Sequence, residues 1–307
     1  MAAAVAAVVF LIARAIGNDY LFYAGYVVLQ YVVIATAWNI LGGYTGYVNF
    51  GSAGFFAMGA YTTVAIAELH WPIPLPVMVV FGGIVSGIVG LGMGYLTLRL
   101  RGVFFAIATL ALAVVLETFI VNWDFVGGGR GAYVVRPSTV PLFGDYTQYL
   151  FAVMLGLSVV AITTARTIER STLGYGFATI RDDEMAAEAS GVPTLRLKLI
   201  ATTLSGAFMG MAGAPFPYYI SFMQPTSAFA LDYGVNAIAM PMIGGTTSWV
   251  GPLVGALLLG SLQQIATVTL SAVVNLLIVG VLLILFVVLA PDGIIGLVRR
   301  FFPRRRL

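Results

Sequence analysis

Apolar residues fall in long blocks separated by short polar breaks from one end of the chain to the other. The blocks are Met1 to Ile16, Tyr20 to Leu41, Phe50 to Ala67, Pro74 to Leu98, Val103 to Val121, Gln148 to Ala165, Leu199 to Tyr219, Leu231 to Ile243, Val250 to Val268 and Ala272 to Leu289. A helix crosses the hydrocarbon core with about 20 apolar residues, within a range of about 17 to 25. The pattern therefore predicts an all-α, polytopic transmembrane helical bundle of about ten segments. The first and the eighth are short, and short or Gly-interrupted helices line cavities in transporters. Residues 1–307 are expected to form a single transmembrane domain.

Composition sharpens this. Hydrophobic residues make up 60% of the chain and charged residues 9%, against roughly 45–50% and about 25% in soluble domains, so no water-soluble fold could hide the apolar surface. Glycine reaches 36 residues, as suits helices that approach closely or break. There is no cysteine, which removes disulfides, thiolate metal sites and cysteine nucleophiles. The opening block lacks the basic flank of a signal peptide and reads as the first span. The single histidine, His70, adjoins Trp71 and Pro72 where an interfacial cluster is expected.

Charge sets orientation, because short cytoplasmic loops hold the excess of Lys and Arg. Twelve of the 15 cations lie in three groups: Arg99 and Arg101; Arg166, Arg170, Arg181, Arg196 and Lys198; Arg299, Arg300, Arg304, Arg305 and Arg306. Two spans separate the first group from the second and four separate the second from the third, so parity places all three on one face. That face, and both termini, are expected to be cytoplasmic. The Trp123 to Tyr146 loop balances Arg130 and Arg136 with Asp124 and Asp145 and would be external. Glu117 is the carboxylate clearly inside a span, near its outer end, where helix packing and function are equally open. Asp232 opens the short eighth span, where capping and the helix dipole account for a carboxylate.

The segment 166–198 is too polar to cross the membrane and reads as two short helices. The first would start after Ser171 as N-cap and run to Ile180. In the second, Asp182, Asp183 and Glu184 load the first turn, alanines follow, and Gly191 with Pro193 ends it, the charges lying exposed. A surface helix pair of this kind is what a motor subunit would grip, and it is equally what a connecting loop would look like.

Three stretches resemble the LivM-type permease family of branched-chain amino acid ABC importers and their relatives for urea, amides and small organic acids. The first is Trp38-Asn39-Ile40-Leu41-Gly42-Gly43-Tyr44-Thr45-Gly46-Tyr47-Val48-Asn49-Phe50-Gly51, continuing to Gly59-Ala60-Tyr61. The second runs from Leu98-Arg99-Leu100-Arg101-Gly102 to Thr109-Leu110, then Asn122-Trp123 and Gly127-Gly128-Gly129-Arg130-Gly131. The third joins Thr172-Leu173-Gly174, Ile180-Arg181-Asp182-Asp183-Glu184, Ala186-Ala187-Glu188-Ala189 and Gly191 to Ile243-Gly244-Gly245 and Gly251-Pro252-Leu253-Val254-Gly255-Ala256. Two departures stand out: Ser52 where many members have histidine, and Glu117 where many carry a glutamate nearer Val114. Both put the identity of the cargo in doubt.

The resemblance implies a permease subunit in the bacterial inner membrane and a cytoplasmic coupling element that docks an ATPase through Thr172, Leu173, Gly174, Arg181, Asp182, Asp183, Glu184, Glu188 and Gly191. It also implies a second, LivH-like permease, LivG-like and LivF-like ATP-binding subunits and a periplasmic solute-binding protein. The chain has no G-x-x-x-x-G-K-[ST] loop, so no cofactor is expected here and ATP would be bound by partners. Asn39, Thr45, Asn49 and Ser52 at one Gly-rich break, and Thr246 and Thr247 at the other, are candidate pathway residues, with helix packing through small residues as the competing explanation. The breaks share a loose pattern, Leu41-Gly42-Gly43 with Gly51 and Ile243-Gly244-Gly245 with Gly251. An ion-coupled carrier is the alternative, and would ask for ionisable groups at mid-membrane. A membrane enzyme would ask for clustered His, Asp or Glu.

Overall fold

In the computed structural model, which describes residues 18–97, 99–136, 139–140, 144–269 and 293–301 with isolated positions among 8–14 and 277–285, the apolar blocks fold as helices. The first and tenth blocks, and Arg304 to Arg306, lie outside the described residues apart from those isolated positions. The long helices are α1 (Asp19–Thr45), α2 (Ser52–Glu68), α3 (Leu75–Thr97), α4 (Val103–Val121) and α5 (Tyr146–Glu169). Two short helices follow, α6 (Thr172–Asp182) and α7 (Glu184–Ala189). After them come α8 (Thr194–Gly213), α9 (Phe216–Ile220), α10 (Pro225–Ala228), α11 (Leu231–Gly244), α12 (Val250–Thr269) and α13 (Gly293–Phe301). Among the described residues six helical stretches are long and apolar enough to cross a membrane: α1, α3, α4, α5, α8 with α9, and α12. The 17 residues of α2 and 14 of α11 are shorter.

Local chemistry sets the ends. Asn18 caps α1, its side chain accepting the Tyr20 amide at 3.0 Å, and Gly46 ends it at φ 77°, a left-handed conformation that glycine adopts without steric cost. The core is built around α2, whose Phe55, Phe56 and Tyr61 are fully buried. Behind it α3 and α8 pack almost backbone to backbone. Gly82, Ser86 and Gly90 on α3 meet Gly206 and Gly210 on α8 and Ala214 at its C-cap, two stripes of small residues at a four-residue repeat. In lipid, where apolar burial between helices gains little, such close approach supplies the packing energy.

The two ends of the bundle differ. At one, the Trp123 to Tyr146 loop is ordered by a two-residue strand, β1 (Ala132–Tyr133), paired antiparallel with β4 (Phe222–Met223). A second short pair joins β2 (Thr139–Val140) to β3 (Gly144–Asp145). At the other end lie the α1–α2, α3–α4 and α11–α12 turns and the α6–α7 pair. Arg101 contacts Glu184 there, and Trp249 donates its amide to Glu169 at 2.6 Å. The first two cation groups thus share one end of the molecule, as parity requires.

Candidate functional site

The charged end is organised around one carboxylate. Glu184 opens α7, and Asp183 caps that helix by accepting the amides of Met185 and Ala186 at 2.9 and 3.0 Å. That cap turns the Glu184 side chain inward, where it is 12% exposed and takes a 2.6 Å contact from Lys198 Nζ. Tyr47, on the α1–α2 turn, donates its hydroxyl to the other oxygen at 2.5 Å, and Lys198 Nζ reaches the same hydroxyl at 3.1 Å. Arg101, on the α3–α4 turn, lies 3.7 Å from Glu184 and 3.5 Å from Glu188, and Glu188 accepts from Thr194 at 2.7 Å. Phe105 covers the Tyr47 ring edge-on. Four separate pieces of chain, the two turns, α7 and the start of α8, therefore meet at one polar junction.

Burial strips water from Glu184 and alone would raise its pKa; the hydrogen bonds from Lys198 and Tyr47 and the charges of Lys198 and Arg101 outweigh it and hold the carboxyl below its usual range. Desolvation, with Glu184 as acceptor, pushes the Tyr47 phenol well above its own. The junction is thus a carboxylate fixed in its charged form by a buried ammonium and a phenol that keeps its proton.

This corrects the expectation that the α7 charges lie exposed. Asp182 does, but Glu184 is turned in, and Lys198, one of the cations counted toward the surface excess, is buried. Ser171 occupies the N-cap position of α6, yet its hydroxyl donates to the Ile168 carbonyl instead of capping. Thr172, Leu173 and Gly174 form the first turn of α6, Arg181 and Asp182 its last, and Gly191 follows α7 at φ 82°. Tyr47, Arg101 and Lys198 were not singled out by sequence; all stand inside or beside segments that were. Two outward side chains were also missed, Tyr175 on α6 and Met185 on α7, 71% and 67% exposed at a polar surface.

The candidate pathway residues separate into two places. Asn49 and Ser52 build the α1–α2 turn: Asn49 Oδ1 accepts the Gly51 amide at 2.8 Å, its carbonyl accepts Ser52 Oγ at 3.0 Å, and Trp38 Nε1 donates to the same carbonyl at 2.9 Å. Thr45 donates to the Leu41 carbonyl one turn back. These bonds hold the turn and the end of α1, while Asn49 Nδ2 is buried without a hydrogen-bond partner. Asn39 is buried without a close hydrogen bond at either end of its amide. It adjoins the second break, because a Cβ on Gly43 would lie 2.0 Å from Asn39 Oδ1 and 2.6 Å from the Thr246 carbonyl. Thr246 is half-buried and Thr247 exposed. The two Gly-rich breaks end α1 and α11 at the same end of the bundle, so their shared pattern has a shared position. Among the described residues no group of His, Cys, Asp and Glu could hold a metal ion.

Comparison with known proteins agrees with this layout. A family model for the permease component of branched-chain amino acid transport systems matches residues 2–287. The high-affinity branched-chain amino acid transport system permease protein LivM of Salmonella typhimurium is 27% identical over 294 residues, covering 88% of this chain and 68% of that protein. The corresponding LivH of Escherichia coli is 24% identical over 87% of this chain and 91% of its own. The ribose import permease RbsC of Bacillus subtilis is 28% identical over 52% of this chain and 55% of its own. No solved structure matches.

Proposed function

This chain belongs to the family of branched-chain amino acid transport permease components, and from that premise we propose that it is the transmembrane permease subunit of an ATP-driven importer. Its cargo is a branched-chain amino acid or a related small organic solute. Its charged end faces the cytoplasm of a bacterial cell whose inner membrane it spans, with both termini on that side. ATP is bound and hydrolysed by two partner subunits, a second related permease completes the pathway, and a periplasmic binding protein delivers the solute. The whole chain is one membrane domain, with residues 166–198 as its coupling element.

The observation that supports the reading is the junction at Glu184. A partner that pushes on α6 and α7 moves Glu184, and through Tyr47, Arg101 and Lys198 that displacement reaches the α1–α2 turn, the α3–α4 turn and α8 together. Tyr175 and Met185 offer the apolar contact such a partner needs, since aromatic and methionine side chains are enriched at interface cores. The ion-coupled alternative asks for an ionisable group at mid-membrane. Among the described residues the one fully buried charged side chain is Lys198, and it is neutralised at the end of the bundle.

The test is assembly. Replacing Tyr175 and Met185 together by alanine should weaken co-purification of the ATPase subunits about thirtyfold, as loss of a hot spot worth about 2 kcal/mol implies, while membrane insertion is unchanged. Full-strength assembly in that variant would remove the coupling role.

A further inference from the structure

A cavity of about 450 Å³ opens among α1, α9, α10 and α11. Its walls are Tyr31, Phe216, Phe222 and Tyr233, its rim carries the Ser227 hydroxyl, and its one charge is Asp232. The aromatic walls are held from behind, for Tyr233 stacks on Phe56 at 4.2 Å and meets Phe216 edge-on at 5.6 Å.

Asp232 keeps its place in the first turn of α11, where the helix dipole favours a carboxylate, but makes no side-chain cap. The N-cap of α11 is Ala230, with no side-chain cap bond, so the carboxylate expected to cap does not do so. Among the described residues no Lys or Arg pairs with it. It is exposed, and twelve residues of helix, a rise of about 18 Å, separate it from the α11–α12 break at Gly244. A carboxylate on the wall of a cavity, with no cation beside it among the described residues, favours a positively charged ligand there. Aromatic side chains in the lining can also attract cations, through their ring quadrupoles.

From these observations we propose that the cavity is a binding site for the ammonium group of a small, largely apolar solute, with Asp232 as its counter-charge and Tyr31, Phe216, Phe222 and Tyr233 as its aromatic walls. The cavity lining holds no cation to attract a carboxylate, so recognition there is of the ammonium end. The proposal deepens the import reading and rests on it only for the direction in which a bound solute travels.

The native absence of cysteine makes the test direct. In the full chain in lipid nanodiscs, Ser227→Cys should react about tenfold faster with an aminoethyl methanethiosulfonate than with the sulfonatoethyl reagent, because a focused negative potential raises the local cation concentration. Adding Asp232→Asn should bring the two rates within about twofold of each other, whereas Asp232→Glu should keep the preference. In Ser227→Cys alone, 3-methylbutylamine should slow labelling and 4-methylpentanoate, its similar-sized acid counterpart, should not. A preference that survives Asp232→Asn, or equal protection by the two solutes, overturns the site. Labelling needs neither ATP nor partners, so loss of the import reading would show separately, as an assembled complex that moves no solute.

Discussion

At Glu184 the energetics are those of a buried ion pair, in which the pair as a whole gains little but breaking it costs much. Lys198→Met leaves Glu184 with the Tyr47 hydroxyl and the half-exposed Arg101, and should destabilise the protein by less than the roughly 3–5 kcal/mol of a fully unpaired buried charge. The double variant with Glu184→Leu should recover most of that loss, measured as the thermal midpoint in detergent. Acid acts on the same group. The folded-state pKa of Glu184 lies below the unfolded value of about 4.3, so its contribution is whole at neutral pH and is lost as pH falls through the folded value. Glu184→Gln should therefore flatten the fall in stability between about pH 5 and pH 3. None of this could be read from the chain, because the Lys198 ammonium looks like any other cation until Tyr47 and Glu184, 151 and 14 residues away, are brought beside it.

Helices were the more legible part. The length of the apolar blocks placed α1, α3, α4, α5 and α12, and Gly191 marked the end of α7, because hydrophobicity and glycine act locally. What a local signal could not show is which glycines are indispensable. Gly244 ends α11 against α12, and a Cβ there would sit 1.8 Å from the Gly251 carbonyl; Gly92 has nothing within 4 Å. Gly244→Ala should cost about 1–3 kcal/mol through overpacking, while Gly92→Ala in α3 should be neutral or stabilising by up to about 1 kcal/mol. Thermal midpoints of the two variants check this pair. Similarly, the candidate pathway residues mixed two kinds: Thr45, Asn49 and Ser52 satisfy backbone groups at a turn, and Asn39 with Thr246 meets at a backbone seam. Their residue types are the same, and only the geometry parts them.

For the molecule as a whole the decisive quantity is sidedness. The cation groups predicted it from parity alone, and the Arg101 to Glu184 contact brings two of them to one end. Single cysteines at Asp182 and at Tyr133, both exposed, should be labelled from opposite sides of the membrane by an impermeant maleimide. Labelling of both from one side would break the assignment of faces. The cavity at Asp232 lay beyond sequence reading for a plain reason: its walls come from residues 31, 216, 222 and 233, and only folding makes an aromatic enclosure of them.

The strand pair between Ala132–Tyr133 and Phe222–Met223 joins two loops at one end of the bundle with main-chain hydrogen bonds, which carry no charge for salt to screen. The opposite end is clasped in part by the half-exposed Arg101 guanidinium, a contact that ions and water can loosen. Raised ionic strength should therefore act on the Arg101 contact at the charged end and leave the strand-paired end unaltered.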